Sequence, residues 1–456
     1  MKFLLIIPPY VVDENGLGIC PKKAMLPVGP LSIATALLTR GHAVEALDLV
    51  FVSEWCERLV SILQAPYDRI LLSCHTTRNI AVCKQAEPLI RSLQPGAHIT
   101  LGGNVCVDLG TEDFRKLGLH VDAVVRGYGH ADNVIKAIEC GENGDIRPQS
   151  VPQDLPAPAL HLLDEETHRQ YREETSGGKY PMIGPGGFGC YWSCEYCSAK
   201  MNSPAVVRTW KGIEIESEIN LAVDYGYTHL WCVDNLVIHN NEEKVLRFDS
   251  EVGKRGLTWS GMTRPELVLK HSHLFSKLHS LTELAVGIES ASPQELTVWG
   301  RGNRVGYLET CHMAVRIVHD AGIATNAFVM LGGPGANEQG FWELYRFLKS
   351  LPLSTISWSF FNPSPKTLAA DQLEPKQFGF YRWPLLSAVP PARVVQWAMI
   401  LSGSWWSGWR LNESDPFFSD DERFGIRFEE GIIYQPTDAR SEIGDLWEIW
   451  RRGRMA

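Results

Sequence analysis

Short apolar segments alternate with segments of helical periodicity along most of this chain, and that alternation constrains its fold more than any other feature. Residues 3–7, 43–49, 69–73, 99–101 and 122–125 are short and rich in apolar side chains. Between them, residues 30–39, 81–93 and 133–139 place apolar side chains at i, i+3 and i+4. Strands separated by helices predict a parallel, doubly wound sheet over residues 1–140. Sheets of this kind bind ligands outside the carboxyl ends of their strands. Those ends carry Pro8 and Pro9, then His75, Thr76, Thr77, Arg78 and Asn79, then Gly102, Gly103 and Asn104, then Gly127, Tyr128, Gly129 and His130. Glycine lets backbone approach a large ligand closely, although tight turns use it just as often.

The rhythm breaks over residues 141–179. Pro148, Pro152, Pro156 and Pro158, an acidic helix-prone stretch over 164–174 and the pair Gly177 and Gly178 read as a linker. A second alternation follows, with strands predicted at 181–183, 229–233, 258–262, 283–288, 324–330 and 354–359. Six such units over 180–362 fall short of the eight in a closed barrel, and an open or partial barrel fits them. Residues 363–456 lose the alternation and hold seven of the fifteen tryptophans. They read as a smaller, irregular, mostly helical cap. Trp383, Trp397, Trp405, Trp406 and Trp409, with Tyr381, Phe417 and Phe418, are as well suited to a core as to an aromatic wall over a substrate.

Composition narrows the function classes. The 456 residues carry 43 basic and 53 acidic side chains, a formal charge of −10, and no Lys/Arg-rich run. A nucleic-acid partner held by phosphate contacts is not expected. No stretch approaches about 18 uninterrupted apolar residues, so no membrane span is expected either. The apolar start, residues 3–7 followed by Pro8 and Pro9, reads as a buried first strand rather than a leader, and the expected location is cytoplasmic.

Eleven cysteines, an odd number, do not read as a disulfide framework. Eight are scattered singly and read as small buried hydrophobes. Cys190, Cys194 and Cys197 stand apart, spaced C-x-x-x-C-x-x-C after a Gly-rich lead-in that follows the first strand of the second series. Three thiolates at this spacing suit three irons of a cubane cluster and leave a fourth iron open. A structural zinc site needs a fourth ligand, which here only a folded-back Cys232 would supply.

The triad, with aromatic Tyr196 just before its last cysteine, resembles the radical S-adenosylmethionine (SAM) superfamily, whose core is a partial (βα)6 barrel. The resemblance implies that Cys190, Cys194 and Cys197 bind a 4Fe–4S cluster and that the open iron chelates SAM. It places Tyr196 beside the adenine, Glu289 of the Gly287-Ile288-Glu289-Ser290 segment facing SAM, and Arg264 within reach of the SAM carboxylate. Residues 328–335 resemble the family's fifth-strand Gly-Pro turn. At the second strand, Val233-Asp234-Asn235 stands where the family carries a Gly-Gly-Glu triplet. Residues 1–140 resemble the cobalamin-binding domain that precedes many of these enzymes. On that resemblance Pro8, His75, Thr76, Thr77, Arg78, Gly102, Gly103, Asn104, Gly127 and Gly129 line the cobalamin (methylcobalamin) site. No D-x-H-x-x-G occurs, which implies a corrinoid without a histidine on its lower face, and Tyr128 and His130 replace two acidic residues of the family pattern.

Together these resemblances imply a cobalamin-dependent radical SAM methyltransferase. It would move a methyl group from SAM through methylcobalamin to a carbon of a small-molecule or amino-acid substrate, with tryptophan one aromatic candidate. They also imply an external electron donor such as flavodoxin or ferredoxin. Ring contraction or cyclisation without methyl transfer uses the same two domains. A methylthiotransferase would need a second cysteine set, and a non-catalytic iron–sulfur/cobalamin sensor is the alternative of another class. No Ser/His/Asp arrangement suggests a protein nucleophile.

Overall fold

A computed structural model of the chain describes residues 1–361 apart from 13–16, 20–23, 76–78, 128, 130, 150–155, 175–177, 188, 198, 200–211 and 302–305. Beyond 361 it describes only 375–377, 380, 381, 389, 394, 397, 398 and 401. The chain packs as two compact units. One comprises residues 1–183, 209–231 and 255–257; the other comprises 184–208, 232–254 and 258–456.

The first unit contains a six-stranded sheet built from β1 (Lys2–Ile7), β2 (Ala43–Asp48), β3 (Arg69–Ser73), β4 (His98–Gly102), β5 (Ala123–Val125) and β6 (Gly144–Ile146). Its order is β2-β1-β3-β4-β5-β6, and every neighbouring pair is parallel. β1 is central and covered on both faces, which is why it reads as an unbroken apolar run: Phe3, Leu4 and Ile6 are fully buried. β2, at the edge, is only half buried. The order reverses between β1 and β3, and a ligand crevice of a doubly wound sheet opens at such a switch point. β6 lies inside the predicted linker. Only Ile146 of its three residues is buried, so no apolar run announces it. The acidic stretch forms the helix Glu165–Glu173, whose start is capped by Asp164 accepting the Thr167 N–H at 2.8 Å.

A second six-stranded sheet takes β7 (Lys179–Met182), β8 (His229–Cys232), β9 (Thr258–Thr263), β10 (Leu281–Glu289), β11 (Ala324–Leu331) and β12 (Thr355–Phe360) in sequential order without closing on itself. The pairs from β9 to β12 are parallel. This is the expected partial barrel. Between β9 and β10 the chain forms an α-helix over Pro265–Lys270 and a 3-10 turn over Ser272–Lys277. Of the Trp-rich segment, Trp397 is described: it is buried and stacks on Phe341 with centroids 4.9 Å apart and planes 3° from parallel. It is therefore a core residue of its unit. Trp383, Trp405, Trp406, Trp409, Phe417, Phe418 and the side chain of Tyr381 lie outside the described residues. Among the described residues no helix is long and apolar enough to cross a membrane.

Candidate functional site

The loop after β7 carries the cysteine triad, and two polar side chains fix its Gly-rich entry. Asp234, just past β8 and 1% exposed, accepts the Gly184 N–H at Oδ2 (2.6 Å) and the Gly187 N–H at Oδ1. Burial lifts its carboxyl from the ordinary 3.8 to about 7, against the backbone N–H groups that favour the charged form. His239 is buried and lies 2.7 Å from the Pro185 carbonyl. Asn241 donates its N–H to Nδ1, so Nε2 carries the proton and donates to that carbonyl. The entry must be glycine: a Cβ on Gly186 would stand 2.0 Å from the Leu236 carbonyl oxygen, and one on Gly184 2.5 Å from the Cys232 sulfur. Asp234, just past the second strand of this sheet, thus braces the loop through both carboxylate oxygens.

The three cysteines are free thiols, half-buried on this loop. Cys194 is met by two guanidinium groups, with Arg264 Nη1 at 3.2 Å and Arg301 Nη1 at 3.7 Å from its sulfur. Arg264, at the end of β9, is locked in a two-pronged bond to Glu266 (2.8 and 3.1 Å), and its guanidinium carbon lies 3.9 Å from the Trp192 ring centroid. Arg301 donates to the Gly287 carbonyl and, at 3.2 Å, to the Tyr307 hydroxyl, and sits 3.4 Å from Glu289 Oε1. Burial raises the Cys190 thiol and pushes Cys197 to about 11. Both are then protonated at neutral pH until a soft metal displaces the proton.

Glu289 ends β10 at φ +68°, the only described non-glycine residue with positive φ. The Ser290 N–H bonds back to the Ile288 carbonyl at 2.9 Å, making a tight three-residue turn with Glu289 at its apex. A register shift against β11 falls at the same place. Burial raises the Glu289 carboxyl, opposed by Arg301, Arg264 and a bond with Tyr196. Tyr196 packs edge-on against Trp299 and Phe361. The predicted residues Cys194, Tyr196, Arg264 and Glu289 therefore share one neighbourhood in this unit. Arg301, which the sequence reading did not single out, links them. Its one sequence signal is a lone cation between glycines in Trp299-Gly300-Arg301-Gly302.

The donor set fits an iron–sulfur cluster. The thiols are unpaired, on one loop, and faced by cations that suit an anionic group. Among the described residues no three His, Cys, Asp or Glu side chains close on a point for a single ion, whereas a cubane spreads its thiolates over separate irons. Cys232 is buried beside Gly184 at the loop entry.

In the other unit, the predicted corrinoid residues cluster at the strand ends. Pro8 is buried beyond β1, and His75 beyond β3 is exposed. Asn79, 2% exposed, donates from Nδ2 to the Pro9 carbonyl at 2.9 Å and ties the two ends together at the switch point. Gly102 closes β4 with nothing within 4 Å of a would-be Cβ. Gly103 turns at φ +121° with such an atom 2.4 Å from the Cys74 carbonyl oxygen, and Asn104 begins a short helix. Gly127 has φ +120°, and Gly129 packs against Ile33. Of these glycines Gly102 alone leaves free space where a side chain would stand, and the residues lie at the strand ends where a doubly wound sheet takes its ligand. Thr76, Thr77, Arg78, Tyr128 and His130 lie outside the described residues.

Residues 185–348 match the radical SAM superfamily. The anaerobic magnesium-protoporphyrin IX monomethyl ester cyclase of Synechocystis sp. is 28% identical over 218 residues, 44% of this chain and 42% of that protein. The enzyme of the same name from Cereibacter sphaeroides is 22% identical over 377 residues, 76% of this chain and 60% of that protein. The chain thus spans about half the length of these curated relatives. Among solved structures, the radical S-adenosylmethionine methyltransferase TsrM from Kitasatospora setae, with cobalamin and a 4Fe–4S cluster bound, superposes with a TM-score of 0.63 at 15% identity, covering 81% of this chain and 74% of that one. The cobalamin-dependent S-adenosylmethionine radical enzyme OxsB, with aqua-cobalamin and S-adenosylmethionine bound, gives 0.61 at 16% identity, covering 76% and 51%. The chain carries a radical SAM domain at residues 185–348 and has the fold of the cobalamin-dependent radical SAM enzymes.

Proposed function

We propose that this chain is a cobalamin-dependent radical SAM methyltransferase acting on a carbon of a small-molecule or amino-acid substrate. The observation that carries the reading is the convergence of Arg264, Arg301 and, through Arg301, Glu289 on the Cys194 sulfur of the triad loop. Cys190, Cys194 and Cys197 would hold the cluster. Pro8, His75, Gly102, Gly103, Asn104, Gly127 and Gly129, with Thr76, Thr77 and Arg78, would border the corrinoid. When bound, these groups supply a hydrogen-abstracting radical and a transferable methyl group.

The protein's own part is positioning. Arg264, held between Trp192 and Glu266, offers a fixed cation for a carboxylate, and Glu289 offers an acidic partner for an ammonium group. That pair suits the amino-acid end of SAM. Tyr196, backed by Trp299 and Phe361, offers an aromatic edge for the adenine. Electrons would come from a flavodoxin or ferredoxin. A cyclase acting without methyl transfer is the second reading, favoured by the names of the two curated relatives.

SAM carrying a deuterated methyl group separates the two. With a small acceptor panel under strict anaerobiosis, methyl transfer predicts labelled product that depends on cobalamin. An altered product without label, formed together with 5′-deoxyadenosine, replaces this reading by the cyclase.

A further inference from the structure

We infer that Arg301 and Arg264 form a cationic clamp on the Cys194 corner of the cluster and hold its reduction potential up. The inference rests on the cysteine triad being the cluster site. The three thiols are not treated alike. Cys197 accepts a backbone N–H from Ala199 at 3.4 Å, and Cys190 accepts one from Trp192. Among the described residues Cys194 alone of the three accepts from side chains, and both donors are guanidinium groups, at 3.2 and 3.7 Å.

Two cations converging on one sulfur repel each other, and their side chains are only 6% exposed. Water screens that repulsion poorly at such burial. The arrangement is favourable when the sulfur between them carries negative charge. Each cation is also held so that it cannot swing away, Arg264 by Glu266 and Trp192, Arg301 by the Gly287 carbonyl, Tyr307 and Glu289. Reduction adds one electron to a thiolate-held cluster that is already anionic. A fixed buried cation stabilises the added charge, and hydrogen bonds to the ligand sulfurs act in the same direction. Arg301 is thereby a positioning and tuning residue, distinct from Arg264, which also serves the SAM site.

The test is a redox titration of the anaerobically reconstituted protein, followed by the paramagnetic signal of the reduced cluster, in wild type, Arg301→Lys and Arg301→Gln. Iron and sulfide are counted in each sample. Lysine keeps the charge and should leave the potential close to wild type. Glutamine removes it, and a tenfold weaker hold on the electron lowers the potential by about 59 mV for a one-electron couple. Equal potentials in all three, at full iron and sulfide content, overturn the inference while leaving the cluster site intact. A wild type without iron and sulfide instead defeats the underlying reading. Should the glutamine variant fail to hold a cluster, wild type labelled with 15N-arginine decides: spin-echo spectra of the reduced cluster should show weak arginine nitrogen coupling, and its absence overturns the inference.

Discussion

Replacing Asp234 by Asn separates what the loop brace does for the fold from what it does for the site. The carboxylate accepts two glycine N–H groups, one on each oxygen. Asparagine has one oxygen and one NH2, so one of the two donors is left facing another donor, at a cost of about 1–3 kcal/mol. Against this stands the relief of a buried charge. The carboxyl is raised from 3.8 to about 7, roughly 3 pKa units or about 4 kcal/mol of penalty on the ionised form. Because folding raises this value, the contribution to stability is complete below pH 3.8 and is lost as pH rises through about 7. About 2 kcal/mol of that loss falls between about pH 5.5 and pH 8, and the variant lacks it. Urea unfolding of the cluster-free protein at the two pH values should therefore show the variant gaining about 2 kcal/mol on wild type at the higher one. Near pH 8 it should equal or exceed wild type in stability. Cluster loading should nevertheless fall, since Gly184 or Gly187 is no longer held. A stability difference independent of pH, or normal loading in a variant with the expected stability, would refute this account of the brace.

Two other substitutions probe the turns that shape the candidate sites. Glu289→Gly relieves a positive-φ residue but leaves buried Arg301 without its carboxylate, so the melting temperature should fall, while SAM binding measured by calorimetry on the cluster-loaded protein weakens at least tenfold; undiminished affinity would remove Glu289 from the site. Gly103→Ala forces a side chain to within 2.4 Å of the Cys74 carbonyl oxygen at φ +121°, so it should cost more than about 1 kcal/mol and abolish cobalamin retention on a sizing column, whereas retained corrinoid would place the ligand elsewhere.

Much of this architecture is legible in the chain because the strands are buried on both faces and appear as unbroken apolar runs, as β1 and β3 do. β6 has a single buried residue and carries no such mark. The cysteine loop is legible because its three cysteines are local, within eight residues of one another. Its brace is not. Asp234 and Gly184 are 50 positions apart, and only the folded sheet brings the end of β8 beside the end of β7. Glu289 could be singled out from its motif, but its positive φ is set by a turn that residue identity does not encode. Arg301 carries no such mark in the sequence, because its partners Cys194, Gly287 and Tyr307 come from separate segments.

Metal analysis tests most directly whether Cys190, Cys194 and Cys197 hold a redox cluster. Anaerobically reconstituted protein should contain about four irons and four sulfides per chain, as one cubane requires. The variant with all three cysteines changed to Ala should contain none. Wild type that binds zinc and no sulfide, or a triple variant that keeps its iron and sulfide, would contradict the assignment.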